Sequence, residues 1–321
     1  MSLNKSVMNV NNNNMLVTVA VITYNSVDTI LETLNSIVNQ NYGPENIELI
    51  ISDDGSKDNT VKVIDEWLSE HGSRFFCMKV FANKVNSGIS KNCNIAWKAA
   101  TSEWIKTIAG DDLLIENALT IYMAEVEQKP DTKCFFSRVK KFTKDRELEV
   151  SLNNRTRRFF SYSAEKQYRY LLIRNVIYAP TSFINSKILN EIGYADESYR
   201  LIEDLPLWLK ISKAGYRFSL IDMPLVKYRI SESVSRSEKK IINNSFSNEV
   251  NAFMIEEANN IKSRGFIFFA CLLRFDIRVR QCYEWIVLYV LRNKIKNKNW
   301  VRVFSIIKLA SPFAVIRFLG F

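Results

Sequence analysis

The sequence predicts an α/β protein built on a doubly wound, mostly parallel sheet with a C-terminal helical extension. Two observations lead to this prediction: short apolar runs rich in β-branched residues alternate with helical patterns, and polar residues follow each run. The 321 residues are 47% hydrophobic and 24% charged, which is typical of a globular chain and excludes disorder throughout. Five dispersed cysteines without a C-x-x-C pair indicate neither a zinc knuckle nor a disulfide framework.

Helices connect the first four predicted strands. The strands cover residues 16–23, 47–52, 75–82 and 104–108, and the helices cover residues 27–39, 59–69 and 89–100. Such short apolar runs between longer helices predict buried parallel strands with right-handed crossovers, a Rossmann-like arrangement that binds ligands at the carboxyl ends of its strands. The less regular second half predicts strands at 132–142 and 176–184 and helices at 164–174 and from Pro206 to about residue 214.

Polar residues follow all four strands, in the order Thr23-Tyr24-Asn25, Asp53-Asp54-Gly55-Ser56, Asn86-Ser87-Gly88 and Ala109-Gly110-Asp111-Asp112. No G-x-G-x-x-G follows the first strand and no P-loop motif occurs, so dinucleotide and P-loop functions lose their main support. Carboxylate pairs are ligands that Mg²⁺ and Mn²⁺ prefer, although an isolated pair equally suits a helix cap or a turn.

A third carboxylate pair, Glu203-Asp204, precedes Pro206 at the start of a predicted helix. Its simplest role is a favourable interaction with the helix dipole. The single histidine, His71, lies at a predicted helix end away from every strand-end motif, so a mechanism based on histidine has little support.

Taken in order, these motifs resemble those of the inverting, GT-A fold glycosyltransferases of family 2, of the bacterial polysaccharide-biosynthesis type. The resemblance covers about residues 16–235 and rests on motifs at residues 17–25, 48–60, 88–96, 108–112 and 203–208. It implies a GT-A domain at residues 15–235, with a nucleotide-binding half at 15–115 and an acceptor half at 116–235. A disordered leader at 1–14 and a basic amphipathic helical tail at 236–321 would flank this domain.

The resemblance also implies a role for each site residue. Tyr24 would stack near the donor base and Asp54 would accept a hydrogen bond from it, with Thr23 and Asp53 alongside. Lys91 would reach the donor phosphates. Asp111, supported by Asp112, would bind Mn²⁺ or Mg²⁺ at the nucleotide diphosphate. Asp204 would be the general base that deprotonates the acceptor hydroxyl, with Glu203 orienting that base or the acceptor.

Two positions depart from the family pattern. Ala109 stands where many relatives have the first carboxylate of the D-x-D motif, and Ser231 stands where many have a histidine that joins the metal site. These departures bear on metal affinity and sugar preference. The Q-x-x-R-W signature of processive relatives is absent, because Leu205-Pro206-Leu207-Trp208 follows the Glu-Asp pair, and this favours transfer of a single sugar.

The function expected from the resemblance is a cytoplasmic glycosyltransferase that moves one sugar from a nucleotide-sugar donor, a UDP-sugar, to a glycan or lipid-linked glycan acceptor. Two alternatives are a nucleotidyltransferase, whose glycine- and arginine-rich phosphate loop is not seen, and a non-catalytic, membrane-peripheral protein that binds sugar nucleotides. Release of pyrophosphate would identify the nucleotidyltransferase. Donor hydrolysis or sugar transfer would exclude the non-catalytic protein.

The C-terminal segment carries the whole net charge of +10, because residues 262–321 hold twelve Lys or Arg and two Asp or Glu. Predicted helices cover residues 266–273, 277–291 and 300–318, and the last carries a polar stripe of Arg302, Ser305, Lys308 and Ser311 on an apolar cylinder. This pattern favours an anionic membrane surface at the inner face of the plasma membrane. The alternative is packing on the body or on a second subunit in a homodimer. Nucleic acid is disfavoured because no recognition motif is present.

Overall fold

The computed structural model describes residues 15–143, 146–149, 154–230, 240–262, 266–294 and 298–314. The predicted leader at residues 1–14 and Ser231 lie outside the described residues, as does the end of the last predicted helix.

The first half of the chain forms the predicted parallel sheet. Its strands are β1 (Val17–Thr23), β2 (Ile47–Asp53), β3 (Cys77–Ala82) and β4 (Trp104–Ala109), and its helices are α1 (Ile30–Val38), α2 (Thr60–His71) and α3 (Ile89–Ala99). The strands pair in parallel in the order β3-β2-β1-β4. The α/β fold and the boundaries of these elements are therefore confirmed to within a few residues.

The second half extends this sheet with mixed pairings. Its elements are β5 (Leu113–Leu114), α4 (Ala118–Gln128), β6 (Cys134–Phe142), β7 (Glu147–Glu149), α5 (Asn154–Ser161), α6 (Ala164–Ile173), β8 (Phe183–Asn185), α7 (Ser186–Glu191), α8 (Asp204–Lys213) and β9 (Phe218–Arg229). The order continues from β4 as β8-β6-β9-β5, with β7 on β6, so the described residues form one sheet of nine strands. β8 runs antiparallel to both β4 and β6, whereas β6 and β9 are parallel.

The strand predicted at residues 176–184 is mostly wrong. A 3₁₀ turn at Ala179–Thr181 precedes β8, which has only three residues. Pro180 has no N–H to donate to a neighbouring strand. The Lys106 amine instead donates hydrogen bonds to the carbonyl oxygens of Pro180 and Ser182. These bonds from a buried lysine fix the backbone where the apolar pattern indicated a strand.

The apolar core lies on both faces of the sheet. Alternate residues of β1 divide between two clusters, with Val19 and Val21 packing among α1, α2 and α4, and Ala20 and Ile22 packing among α3, α6 and α8. This double covering is the layer arrangement of a doubly wound sheet, and it leaves the carboxyl ends of the strands free to form a site.

The C-terminal segment is helical, with a different division from the predicted one. It comprises α9 (Asn244–Asn260), α10 (Ile267–Trp285), a π-helical turn at Ile286–Val290, α11 (Lys298–Phe304) and a 3₁₀ helix at Ser305–Ala310. α9 was not predicted, and the helices predicted at 266–273 and 277–291 are continuous because Asp276 is buried with Ser311 as a partner instead of interrupting the helix. None of the described helices combines the length and apolar character needed to cross a bilayer.

Candidate active site

Thr23 and Tyr24 lie at the carboxyl end of β1. The Thr23 side chain is buried, and its hydroxyl has no hydrogen-bond partner among the described residues. Gly110 approaches so closely that a Cβ there would lie 2.7 Å from the Thr23 hydroxyl oxygen. The Tyr24 side chain is 43% exposed, so its ring is accessible at the edge where the predicted donor site lies.

Asp53 and Asp54 both bind backbone groups. Asp53 accepts hydrogen bonds from the backbone N–H and the hydroxyl of Ser56, at 2.8 and 2.5 Å, so it stabilises the turn after β2. The two carboxylate oxygens of Asp54 accept from the backbone N–H groups of Ser87 and Gly88, at 2.7 and 2.9 Å. Asp54 therefore joins the end of β2 to the start of α3.

Lys91 projects from the first turn of α3, where its side chain is exposed. The next residue, Asn92, is buried and ties the ends of two strands together: its amide donates to the carbonyl oxygens of Ser52 (2.9 Å) and Thr23 (3.3 Å). The structure thus brings Thr23, Asp54 and the start of α3 to one edge of the sheet, as the sequence predicts.

Asp111 and Asp112 follow β4 and are held by Arg229 at the end of β9. The Arg229 backbone N–H donates to Asp112 Oδ1 over 2.8 Å, and its Nε donates to the Asp111 carbonyl oxygen over 2.7 Å. The guanidinium also pairs with Glu32 of α1 at 2.9 Å. Burial, reinforced by the charge of Asp111, raises the pKa of Asp112 well above its usual range.

The chemistry of this donor pair fits a divalent cation that shares its coordination with phosphate. The Asp111 side chain is half-buried, and the Asp112 side chain is buried, where it accepts from Arg229. In the described part of the chain, no cluster of three or more Asp, Glu, His or Cys side chains is able to hold a metal ion. The pair supplies hard oxygen atoms of the kind that Mg²⁺ and Mn²⁺ take together with phosphate oxygens.

Glu203 and Asp204 lie at the N-terminus of α8, both half-buried. Asp204 Oδ2 accepts from the side-chain amide of Asn175 over 3.0 Å, and Oδ1 accepts from the backbone N–H of Leu205 over 2.6 Å. Burial raises the pKa of Asp204, and these two hydrogen bonds oppose that rise. Burial and the neighbouring Asp204 charge raise the pKa of Glu203 to about 8. Glu203 is therefore mostly protonated at neutral pH.

Asp204 lines two cavities. One, of about 100 Å³, lies beside the ends of β1 and β4 and is also lined by Ala109, Glu203 and Trp208. The indole N–H of Trp208 is buried and has no acceptor among the described residues. The other cavity, of about 230 Å³, is bounded by α6, α8, α9 and α10. Its lining includes the polar side chains of Arg174, Asn175 and Arg280. A carboxylate between two cavities is placed to act on a group in one of them while a second group occupies the other.

α9 fixes the loop that leads to Glu203. The Glu249 carboxylate accepts from the backbone N–H groups of Arg200 (3.2 Å) and Leu201 (2.7 Å). The Arg200 carbonyl oxygen in turn accepts from the N–H of Ile89 at the start of α3, over 2.8 Å. Gly88 is required at this contact, because its φ is +97° and a Cβ would lie 2.6 Å from the Arg200 carbonyl oxygen. The donor edge and the Glu-Asp pair thus form one connected unit.

Sequence reasoning missed four residues that organise this site: Lys106, Asn175, Arg229 and Glu249. Lys106 is buried in β4, donates to the carbonyl oxygens of Thr107, Pro180 and Ser182, and has its pKa lowered to about 7 by burial, against the opposing charge of Asp112. A lysine within an otherwise apolar strand was the available signal. The other three act through long-range contacts that no local pattern reveals.

Comparisons with known proteins agree with this geometry. The profile of the family described as Glycosyl transferase family 2 matches residues 18–193. The chain is 28% identical over 278 residues to UDP-Glc:alpha-D-GlcNAc-diphosphoundecaprenol beta-1,3-glucosyltransferase WfaP of Escherichia coli, covering 84% of this chain and 97% of WfaP. It is 26% identical over 212 residues to Minor teichoic acid biosynthesis protein GgaB of Bacillus subtilis, covering 66% of this chain and only 23% of GgaB.

Solved structures resemble the whole architecture. S. aureus TarS 1-349 in complex with UDP-GlcNAc superposes with a TM-score of 0.61 at 18% identity, covering 93% of this chain and 82% of that chain. The complex of the same protein with UDP gives a TM-score of 0.60 at 19% identity, covering 93% and 81%. At this identity the likeness establishes a shared fold.

Proposed function

The chain belongs to glycosyl transferase family 2, and on this basis we propose that it transfers a single sugar from a nucleotide-sugar donor to a hydroxyl group of a glycan or lipid-linked glycan. Transfer occurs with inversion, by direct attack of the acceptor hydroxyl on the anomeric carbon. Asp204 takes the proton of that hydroxyl, and the departing nucleotide diphosphate takes the bonding electrons.

The observation that carries this proposal is the position of Asp204 between the two cavities. In a single displacement the base must contact the acceptor while the donor lies on the far side of the reacting hydroxyl. The lining of the cavity beside β1 and β4 includes Ile22, which precedes Thr23, and Asp204 also lines the cavity bounded by α6, α8, α9 and α10. Glu203, protonated at neutral pH, is then a hydrogen-bond donor that orients Asp204 or the acceptor.

A UDP-sugar is the proposed donor, with either a hexosyl or an N-acetylhexosaminyl group. The names of WfaP and of the TarS complexes specify UDP-Glc, UDP and UDP-GlcNAc for those proteins. In this chain the exposed Tyr24 would stack on the base, and the buried Thr23 and Asp53 pair with each other at the ends of β1 and β2, with Asp54 next in the chain. The carboxylate of Asp54 already accepts two backbone bonds, so a bond from the base would use its remaining lone pairs.

We assign the donor diphosphate to the edge between Asp111 and Lys91. Asp111, with Asp112 behind it, would hold Mn²⁺ or Mg²⁺ there, and the exposed Lys91 would contact the phosphates. A bound divalent cation would supply stabilisation of the charge that grows on the leaving diphosphate. Ala109 leaves the sugar side of this edge without the carboxylate that the family pattern has, so the cavity wall there is apolar.

The acceptor side suits an anionic or lipid-linked glycan. Arg174 and Arg280 line the cavity that reaches Asp204, and guanidinium groups bind phosphate by paired hydrogen bonds. The name of WfaP specifies, for that protein, an acceptor attached to diphosphoundecaprenol. Together these observations favour an acceptor whose sugar is carried on a phosphate-containing lipid, with the protein at the cytoplasmic face of the membrane.

The proposal is tested in four parallel reactions, each containing the protein, Mn²⁺ and one donor. The donors are UDP-glucose, UDP-galactose, UDP-N-acetylglucosamine and UDP-N-acetylgalactosamine. The acceptor is a water-soluble N-acetylglucosamine diphosphate carrying a short alkyl chain. Transfer of one sugar from at least one donor, with stoichiometric release of UDP, is expected. A parallel incubation with UTP and a sugar 1-phosphate tests the first alternative, because release of pyrophosphate there would indicate a nucleotidyltransferase. Donor binding without turnover under all conditions would indicate a non-catalytic protein.

A further inference from the structure

The C-terminal helices place their polar contacts inward and their large apolar side chains outward. Asp276 of α10 is fully buried, where Ser311 donates to it and Arg280 pairs with it at 3.4 Å. Lys308, from the polar stripe predicted in the sequence, lies 3.8 Å from the ring centre of Tyr283. Two members of that stripe, Lys308 and Ser311, therefore contact α10.

The outward side of α10 is an apolar stripe. Its members are exposed and recur every three or four residues through the helix and the π-helical turn, which places them on one face: Phe268, Cys271, Phe275, Arg278, Cys282, Trp285 and Tyr289. Phe268 is 74% exposed and Trp285 is 57% exposed. The 21 steps from Phe268 to Tyr289, at about 1.5 Å each, give a stripe roughly 30 Å long.

A second apolar stripe follows on the next elements. Trp300 and Val303 of α11 and Ile306 and Leu309 of the 3₁₀ helix are each exposed, with Ile306 at 67%. Their spacing of three residues matches the period of a 3₁₀ helix, so the last three lie nearly in line. We call the stripe on α10 the outer apolar face, and the second stripe adds exposed apolar surface on the elements that follow it. Apolar surface of this extent on a folded chain indicates a site that another apolar phase covers.

The charges around the outer apolar face identify what covers it. Residues 262–321 contain only two acidic residues, Asp276 and Glu284. Asp276 is buried, and Glu284 accepts from Asn251 of α9 over 2.6 Å, so both carboxylates have partners on the inward side. Arg278 and Arg302 are exposed beside the apolar residues. A second copy packed on this face about a two-fold axis would oppose cations to cations, whereas an anionic bilayer complements them.

We propose that the outer apolar face docks on the surface of an anionic lipid bilayer, with the aromatic and aliphatic side chains at the acyl boundary and the arginines at the headgroups. Each basic residue near such a surface contributes about 1 kcal/mol. The same helix, α10, carries Arg280 on the wall of the cavity that reaches Asp204. Docking would therefore place the acceptor cavity beside the bilayer, a consequence that rests on the proposed function, whereas binding itself needs no turnover.

The test is sedimentation of the full-length protein with vesicles made of equal parts phosphatidylcholine and phosphatidylglycerol, or of phosphatidylcholine alone. Binding to the anionic vesicles is expected, weakened by salt but not abolished. The double variant Phe268→Ser, Trp285→Ser should bind these vesicles at least about tenfold more weakly than wild type. The matched control Phe76→Ser, Met78→Ser changes two exposed apolar residues of the sheet domain and should bind like wild type.

A second variant, Arg278→Gln with Arg302→Gln, separates docking from misfolding because it leaves the apolar residues in place. It should retain the wild-type unfolding temperature and bind the anionic vesicles more weakly, with a smaller dependence on salt. Wild-type protein that stays in the supernatant with both vesicles would overturn the proposal. So would a lipid-free dimer that the Phe268→Ser, Trp285→Ser variant converts to monomer. Transfer to the water-soluble acceptor should be equal in all these variants, so failure of docking is distinguishable from failure of the proposed function.

Discussion

The side-chain amide of Asn175 donates a hydrogen bond to Oδ2 of Asp204 over 3.0 Å. The other end of the same amide accepts from the backbone N–H of Ile177, also over 3.0 Å, so the amide is oriented by the chain that follows α6. Burial raises the pKa of Asp204. The hydrogen bond from Asn175 opposes that rise, because it stabilises the ionised carboxylate. Asn175 is therefore a positioning residue for the proposed base.

Replacement Asn175→Leu should move the acidic limb of the pH profile of kcat/KM to higher pH. The reason is that Asp204 loses a bond to its charged form, so a higher pH is needed to ionise it. The rate should approach that of wild type as the pH rises, and Asn175→Gln, which keeps an amide donor, should recover part of the shift. A uniform loss of rate at every pH would instead indicate a purely structural role.

Glu203 should make stability depend on pH. Its pKa is raised from 4.5 to about 8 in the folded protein, so between these values the folded state binds more protons than the unfolded state. The free energy of unfolding therefore falls as the pH rises through this window. Glu203→Gln should unfold at a higher temperature than wild type at pH 9 and show a smaller difference at pH 5. Exposed Glu70 provides the control: Glu70→Gln should follow wild type at both pH values.

Lys106→Met should destabilise the protein because it leaves the carbonyl oxygens of Thr107, Pro180 and Ser182 without their buried donor, at a cost of roughly 1–3 kcal/mol for each buried acceptor that loses its partner. The pKa of Lys106 is lowered from 10.5 to about 7, so its contribution to the free energy of unfolding rises between those pH values. Urea unfolding should thus show a larger loss at pH 9 than at pH 6. Equal stability of variant and wild type would show that the buried amine is not required to hold the Ala179–Thr181 turn.

Asp111→Asn should abolish the dependence of UDP affinity on Mn²⁺ while leaving the fold intact. The variant removes the half-buried carboxylate that we propose as a metal ligand. It keeps the backbone carbonyl oxygen that accepts a hydrogen bond from Arg229. Calorimetric titration of UDP with and without Mn²⁺ should give a metal effect of at least about tenfold in wild type. The effect should be equal in Asp65→Asn, an exposed aspartate on α2. UDP affinity that is unchanged in Asp111→Asn under both conditions would contradict the assignment.

The sequence predicts most of the first half of the fold because its information is local there. The parallel strands β1 to β4 are short apolar runs, and α1 to α3 have helical periodicity, so each element forms where its pattern lies. β8 fails this rule because the Lys106 amine holds the backbone carbonyls of Pro180 and Ser182 from a strand 70 and more residues away. α9 was missed because its buried side has few large apolar residues and its carboxylates bind distant loops, as Glu249 does.

The candidate site divides in the same way. Thr23, Asp54 and Asp111 follow parallel strands, whose carboxyl ends lie at one edge of the sheet, so topology alone brings those residues together. The sequence pattern does not indicate which carboxylates form hydrogen bonds within the protein. Asp53 stabilises its own turn, and Asp112 accepts from Arg229. The roles of the site residues remain predictions, to be decided by the variants described above.

The most direct test of Asp204 as the base is the variant Asp204→Asn, measured by single-turnover transfer at saturating donor. The amide keeps the shape of the side chain and its position between the two cavities but has no proton affinity at neutral pH. Loss of a positioned base costs about 10²–10⁴ in rate, so transfer should fall by that factor while UDP affinity and unfolding temperature stay close to wild type. Asp65→Asn serves as the matched control. Transfer by Asp204→Asn within about threefold of wild type would contradict the account.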